Sequence, residues 1–234
     1  RRNAIDMLTK HSDQMRKQME KRESAVTALA KALHMEKVPG RIEAYDISNI
    51  SGVESVGSMV VFEDGVPKKT DYRRFRIKEV EGPDDYASLR EVLSRRFKRG
   101  LKERAGIGER RGFASFPDLI LMDGGKGQVT QALVILEKLG ISIPVAGLVK
   151  DDEHKTRGIY FNKEEINVAK NSAIYRLVYQ IQEEAHRFAI TYHRSLRSKA
   201  GFRSELDGIK SIGPKRKKEL MSAFKSLSKI KEAD

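Results

Sequence analysis

The chain has 234 residues, room for one well-filled hydrophobic core with smaller attachments. Lysine and arginine number 46 against 33 aspartates and glutamates, a formal charge of +13, which suits a polyanionic partner better than an acidic small molecule. With no cysteine, disulfides, thiolate zinc sites and a cysteine nucleophile are excluded, so any metal must be held by oxygen or imidazole, and a hard ion such as magnesium or manganese is expected. No apolar run approaches the ~18 residues of a membrane span and the first residues lack a signal-peptide core, so a cytoplasmic protein with no membrane partner is expected.

Residues 1 to 36 are polar and charged, with Ile5, Leu8, Val26, Leu29 and Leu33 loosely at helical intervals, and predict a long solvated helix or helix pair. The chain opens on Arg1 rather than methionine, and the expectation is a piece of something longer. From Arg41 the texture turns to β, with runs at Ile42–Ile47, Ser58–Glu63 and Lys69–Ile77; Asp64-Gly65 between the last two is a hairpin signal. Tyr86, Leu89, Val92, Leu93 and Phe97 recur at three and four and predict a helix over 84–98. The basic, glycine-containing stretch Lys98–Arg111 reads as a mobile loop. Leu119–Met122 is a short buried strand ending in Asp123-Gly124-Gly125, a helix is expected over Gln128–Leu139, and Val145–Val149 is a second buried strand. Lys150–Lys163 reads as a polar loop or hairpin. Ile174, Leu177, Val178, Ile181, Ala185, Phe188, Ala189 and Tyr192 then mark a long amphipathic helix over Ser172–Lys199.

Three meandering strands, helix, strand, helix, strand and long helix are the order of a ribonuclease H-like mixed α/β sheet with flanking helices. The expected division is a helical lead-in over 1–38, the ribonuclease H-like domain over 39–200, and a small all-α unit over 201–234.

Asp46 lies inside the first strand, where a buried charge is costly without a partner. Asp123 closes the fourth, where two glycines let the backbone turn and the carboxylate leave the carboxyl end of the sheet. Neighbouring first and fourth strands bring the two carboxylates together, and a hard divalent cation relieves their repulsion. His186 shares a helix flank with Gln182 and His193, off the apolar stripe. Its imidazole can ligate an ion, position water or shuttle a proton; a structural, hydrogen-bonded histidine is the alternative, with Glu183 and Glu184 as nearby competitors. Gly124-Gly125-Lys126-Gly127-Gln128 lacks the glycine span and the Ser or Thr of a P-loop, and Gly158-Ile159-Tyr160 lacks the partner tripeptide of the nuclease signature it half spells.

Leu206-Asp-Gly-Ile209-Lys-Ser-Ile212-Gly213-Pro214-Lys215 reads as helix, tight hairpin, helix. Gly213 permits the turn, Pro214 suits a first helical position, and exposed amides at that helix start make a phosphate site beside Lys215, Arg216, Lys217 and Lys218. Ile212, Gly213 and these four cations are the expected DNA contacts, of a kind that grips backbone without reading bases.

Several segments together resemble one family, the C-terminal half of UvrC, the incision subunit of bacterial nucleotide excision repair. They are Arg41-Ile-Glu-Ala-Tyr-Asp46-Ile-Ser, Val60-Val-Phe-Glu-Asp-Gly65, Asp71-Tyr-Arg-Arg-Phe75, Asp84-Asp85-Tyr86, Asp118-Leu-Ile-Leu-Met-Asp123-Gly-Gly-Lys-Gly-Gln128 and Glu184-Ala-His186-Arg-Phe-Ala-Ile-Thr-Tyr-His193-Arg. The resemblance implies a ribonuclease H-like endonuclease with an Asp, Asp, His catalytic set at Asp46, Asp123 and His186, a Mg2+ or Mn2+ ion held by the two aspartates, and a helix-hairpin-helix behind it. Asp85 matches a further acidic residue of the family, and Arg73 and Arg74 join the expected DNA contacts. Lesion-bearing double-stranded DNA and the UvrB–DNA complex are the implied partners, and the incision 5′ to the lesion the implied reaction. Asn49 and Ser51 stand where the family commonly shows His and Gln, and Ser211 replaces the first hairpin glycine. With a second hairpin begun at Ser-Leu-Ser-Lys-Ile but cut short, weak DNA binding is expected. A DNA-binding scaffold without chemistry and an RNA-cleaving relative are the rival readings.

Overall fold

The computed structural model describes residues 2–50, 54–80, 82–151, 153, 156–207, 213–224, 230 and 233. They fall into two compact units, 1–189 and 190–234. A single helix, α1 (Arg2–Ala32), opens the first unit, where a helix pair was the alternative. Its last turns bury Val26, Leu29, Ala30 and Leu33, while Met15 and Met19 are exposed. His34, at φ 50°, ends it in the left-handed conformation, and Met35 N–H bonds back to Ala30 O at 2.9 Å.

The chain then makes β1 (Arg41–Ile50), β2 (Glu54–Glu63) and β3 (Val66–Pro67), a 3-10 turn at Lys69–Asp71, and β4 (Arg73–Arg76). Of the expected third run, Lys69–Ile77, only Arg73–Arg76 is strand: its first residues form the 3-10 turn, and the strand that follows the Asp64-Gly65 turn is the separate two-residue β3. Asp64 and Gly65, at φ 49° and 73°, form the hairpin between β2 and β3, the positive-φ pair that a tight two-residue connection needs. Next come α2 (Asp85–Arg104), β5 (Leu119–Met122), α3 (Lys126–Lys138), β6 (Val145–Lys150), the hairpin β7 (Thr156–Phe161) and β8 (Glu164–Asn167), and α4 (Ala173–Asp207).

Two helices outrun their expected ends. Lys98–Arg104 is helical, not loop, because Phe97, Gly100 and Glu103 remain buried and keep the turn packed. Helix α4 likewise continues past Gly201. In the second unit α5 (Pro214–Phe224) begins on Pro214 as expected. Ile212 and Ser211 lie outside the described residues, as do the side chains of His193, Lys217 and Lys218.

The sheet has eight strands in the order β3-β2-β1-β5-β6-β7-β8, with β4 on β2; β1–β5 and β5–β6 are parallel and the other pairs antiparallel. This is a ribonuclease H-like mixed sheet. Alternation along β1 sends Glu43 and Tyr45 to one face and Ala44, Asp46 and Ser48 to the other. The first face is covered by α2 and α3: Val92 sits where a side chain at Gly57 would be, and the Arg96 guanidinium meets Glu43 Oε1 at 2.7 Å. The second is covered by α4, with the Tyr72 hydroxyl donating to Glu184 Oε1 at 3.0 Å and the Tyr72 and Phe188 rings in edge contact. Among the described residues no helix is long and apolar enough to cross a membrane.

Candidate active site

Tyr45 pairs with Met122 across the parallel β1–β5 ladder, so the next residue on each strand, Asp46 and Asp123, leaves the same end of the sheet side by side. The parallel pairing supplies what the sequence could only assume. Ser48 Oγ donates to Asp46 Oδ2 at 2.7 Å, and Asp46 is half-buried. Asp123 follows the last residue of β5, its N–H reaching Tyr45 O at 3.4 Å. The turn after it is packed tightly against β6: a Cβ at Gly147 would lie 2.4 Å from Gly124 O, so only glycine lets β6 pass this close.

One oxygen of Asp123 is held twice. Gln182 Nε2 on α4 donates to Oδ1 at 2.9 Å, and Lys150 Nζ at the end of β6 stands 3.1 Å from the same atom. Gln182 is fixed in turn by Thr156 Oγ1, which donates to its Oε1 at 2.8 Å. Burial pushes the Asp123 carboxyl above the usual range; Lys150 pulls it down, the Asp46 carboxylate pushes it up again, and His186 lowers it slightly. Asp46, His186 and Lys150 are thus near enough to this carboxylate to act on its charge. His186 lies on the exposed side of α4, one turn beyond Gln182.

Asp85 opens α2 on the surface, and its neighbour Asp84 is the helix cap, accepting from Ala87 N–H at 2.8 Å. Glu184, the competitor of His186, is occupied by Tyr72 and Arg187. Arg74 stacks over Phe188, 4.1 Å from the ring centre, and Arg73 is anchored to the carbonyls of Thr70, Tyr72 and Arg111. Gly213, Lys215 and Arg216 are exposed at the start of α5. The Asn49 side chain and Ser51 lie outside the described residues.

Lys150 and Thr156 escaped the sequence reading because they fell in a stretch read as polar loop or hairpin, with no site role attached to it. The signal was present: a strand running parallel to β5 must end beside Asp123, and Lys150 is the first residue past its apolar run.

Among the described residues no three His, Asp or Glu side chains form a ready-made metal cage. Two adjacent carboxylates nevertheless fit a small hard cation, because magnesium is commonly held by one or two carboxylates and completes its octahedron with water and substrate phosphate. Asp123 Oδ2 and the Asp46 carboxylate are the donors available for it, and the ammonium of Lys150 already shows that this corner of the site accepts positive charge.

The profile of the UvrC RNAse H endonuclease domain matches residues 30–190. UvrABC system protein C of Lachnospira eligens is 54% identical over 232 residues, and that of Clostridium perfringens 54% identical over 239 residues; these cover 99% and 100% of this chain. The chain spans 38% of the length of either relative. The catalytic domain of human endonuclease V is similar over 70% of this chain and 85% of that one, at 14% identity and a TM-score of 0.38. By a profile that spans most of its length and relatives identical at more than half their aligned positions, this chain belongs to the UvrC RNase H endonuclease domain family.

Proposed function

We propose that the chain is the DNA-cutting part of a nucleotide excision repair nuclease, hydrolysing a phosphodiester on lesion-bearing double-stranded DNA presented by the UvrB–DNA complex, on the 5′ side of the damage. The observation that carries this reading is the juxtaposition of Asp46 and Asp123 at one end of two parallel strands, with His186 on the helix beside them. Mg2+ or Mn2+ is the ion these oxygens suit, and when bound it supplies a Lewis acid for the phosphate and makes water more acidic.

The chain's own groups do the rest. Asp46, steadied by Ser48, presents carboxylate oxygen from the strand itself. Asp123 is fixed through Oδ1 by Gln182 and Lys150, and Oδ2 is the oxygen left to hold an ion. His186 is exposed enough to meet a bound backbone and can orient the attacking water or take its proton. Lys215 and Arg216, with Gly213 beside them, add backbone affinity from the helix-hairpin-helix, and Arg73, Arg74 and Asp85 are secondary candidates around the substrate.

Manganese-dependent nicking of supercoiled plasmid is the direct test. Asp46→Asn should abolish nicking while leaving duplex affinity in EDTA unchanged. A variant that still nicks would remove Asp46 from the chemistry, and a parent chain that binds duplex but never nicks would favour the scaffold reading. Matched DNA and RNA–DNA hybrid substrates separate the DNA enzyme from an RNA-cleaving relative.

A further inference from the structure

The strongest unassigned feature is a cavity of about 760 Å³ at the β4 edge of the sheet, walled by β4, one side of α2 and the loop that follows it. Seven lysines and arginines line it against two carboxylates. Four of them, Arg95, Lys98, Arg99 and Lys102, are spaced three and four apart and so form one stripe along α2. The opposite wall comes from Arg73 and from Arg111 of the loop.

The guanidinium groups are set in place before any ligand arrives. Arg73 donates to Arg111 O at 2.7 Å and lies over the Phe113 ring, with Arg99 over the same ring. Arg95 donates to Arg76 O at 2.6 Å and lies over Phe75. The two carboxylates are already used. Glu103 accepts from the N–H groups of Arg111, Phe113 and Ala114 and from Arg99, while Glu109 accepts from Arg111. Lys98 and Lys102 are exposed and pair with no described carboxylate. A surplus of like charge held in a rigid aromatic frame is unfavourable unless a polyanion relieves it.

Position identifies the polyanion. Arg74, on the rim, pairs with Ser58 across β2–β4, and Ser58 pairs with Asp46 across β1–β2. Backbone to backbone, Arg74 is therefore two strand spacings, about 10 Å, from Asp46, and the cavity opens on the α2 side of that sheet edge. At about 3.4 Å per nucleotide along a duplex, that is about three nucleotides from the bond to be cut. We infer that this cradle binds the sugar–phosphate backbone of the DNA arm flanking the cleaved phosphate, as a contact surface of the nuclease unit separate from the helix-hairpin-helix. The inference rests on DNA being the substrate of the Asp46–Asp123 site.

The test is fluorescence anisotropy of a labelled duplex in EDTA, where nothing is cut, at several salt concentrations between 50 and 200 mM. Each neutralised phosphate contact contributes about 0.9 to the slope of log K against log salt. Lys98→Gln/Lys102→Gln should flatten that slope by about 1.8 and weaken binding about tenfold at the higher salt concentrations. Lys17→Gln/Lys21→Gln, the same loss of charge on exposed α1, should leave the slope unchanged. Equal slopes for the two pairs would overturn the cradle, whether because the stripe is merely solvated or because it meets an acidic protein instead. Asp46→Asn should bind with the parental slope, so failure of the catalytic reading shows in nicking and failure of the cradle shows in the slope.

Discussion

Lys150 Nζ stands 3.1 Å from Asp123 Oδ1, the same oxygen that Gln182 Nε2 holds at 2.9 Å. A protein cation therefore shares the carboxylate that a divalent ion needs. The ammonium neutralises part of the negative charge that the two aspartates would otherwise concentrate, and it must be displaced or tolerated when an ion enters. At 33% exposure of the lysine side chain its repulsion of an incoming cation is screened, to about 1 kcal/mol. Lys150→Met should thus bind Mn2+ about five- to tenfold more tightly in the absence of DNA, as read by the loss of free-ion EPR signal. Unchanged affinity would mean that the ion and Lys150 do not compete.

Gln182 acts through Asp123 and is a positioning residue. Its amide spans Thr156 Oγ1 and Asp123 Oδ1, so replacing it with leucine frees the carboxylate to rotate. Groups that orient metal-binding carboxylates are typically worth about 10- to 100-fold in activity or metal affinity. Gln182→Leu should lower manganese-dependent nicking by that factor and raise the Mn2+ concentration for half-maximal rate, and Thr156→Val should do the same more weakly. A loss of rate with an unaltered metal requirement would assign Gln182 to stability alone.

The order of elements was legible because buried strands and amphipathic helices carry periods that survive without tertiary context: Leu119–Met122 and the Ile174–Ala189 stripe fall where expected. The pairing of Asp46 with Asp123 was legible only through the assumed neighbourhood of their strands. What escaped was polar chemistry carried between elements. Glu43 sits in β1 three residues before Asp46, and the cost of burying a charge applies to it with equal force. Yet it is fully buried, paired with Arg96, a charged residue that stands on the apolar face of α2, four residues after Val92 and three after Leu93, where a pattern read from apolar residues alone does not register it. The Lys98–Arg104 turns escaped for the same reason, since Glu103 is buried by donors from a loop that periodicity does not see.

That buried pair gives a stability prediction. Arg96 donates to Glu43 Oε1 at 2.7 Å and to the carbonyls of Phe113 and Ser115, while Tyr45 donates to Glu43 Oε2 at 2.7 Å. Burial opposes the guanidinium charge, and the Glu43 carboxylate, together with Tyr45, more than restores it. Removing one partner strands the other charge, so Glu43→Ala should cost about 3–5 kcal/mol in urea unfolding. Glu43→Leu with Arg96→Met removes both charges and should cost less than the two single losses added together. Strict additivity would show that the pair is not coupled.

Glu103 ties the acid stability of the loop over 105–114 to the DNA cradle. Burial alone would raise its carboxyl, but the N–H groups of Arg111 and Phe113, then Arg99 and the N–H of Ala114, hold it below the ordinary glutamate range. A lowered folded-state value means that this stabilisation is fully present at neutral pH. It begins to fade as pH drops below the unfolded value of about 4.3 and is gone once pH falls through the lower folded value. Glu103→Gln keeps one acceptor oxygen for donors that now share two, and should destabilise the chain by about 1–3 kcal/mol at pH 7. The gap between parent and variant should close as the pH is lowered past 4, because the parent then loses the same carboxylate. Hydrogen exchange should locate the change in residues 105–114, and duplex affinity in EDTA at pH 7 should fall with it, since Arg111 and Phe113 form the far wall of the cradle. A gap that stays constant with pH would assign the role of Glu103 to side-chain packing and not to its charge.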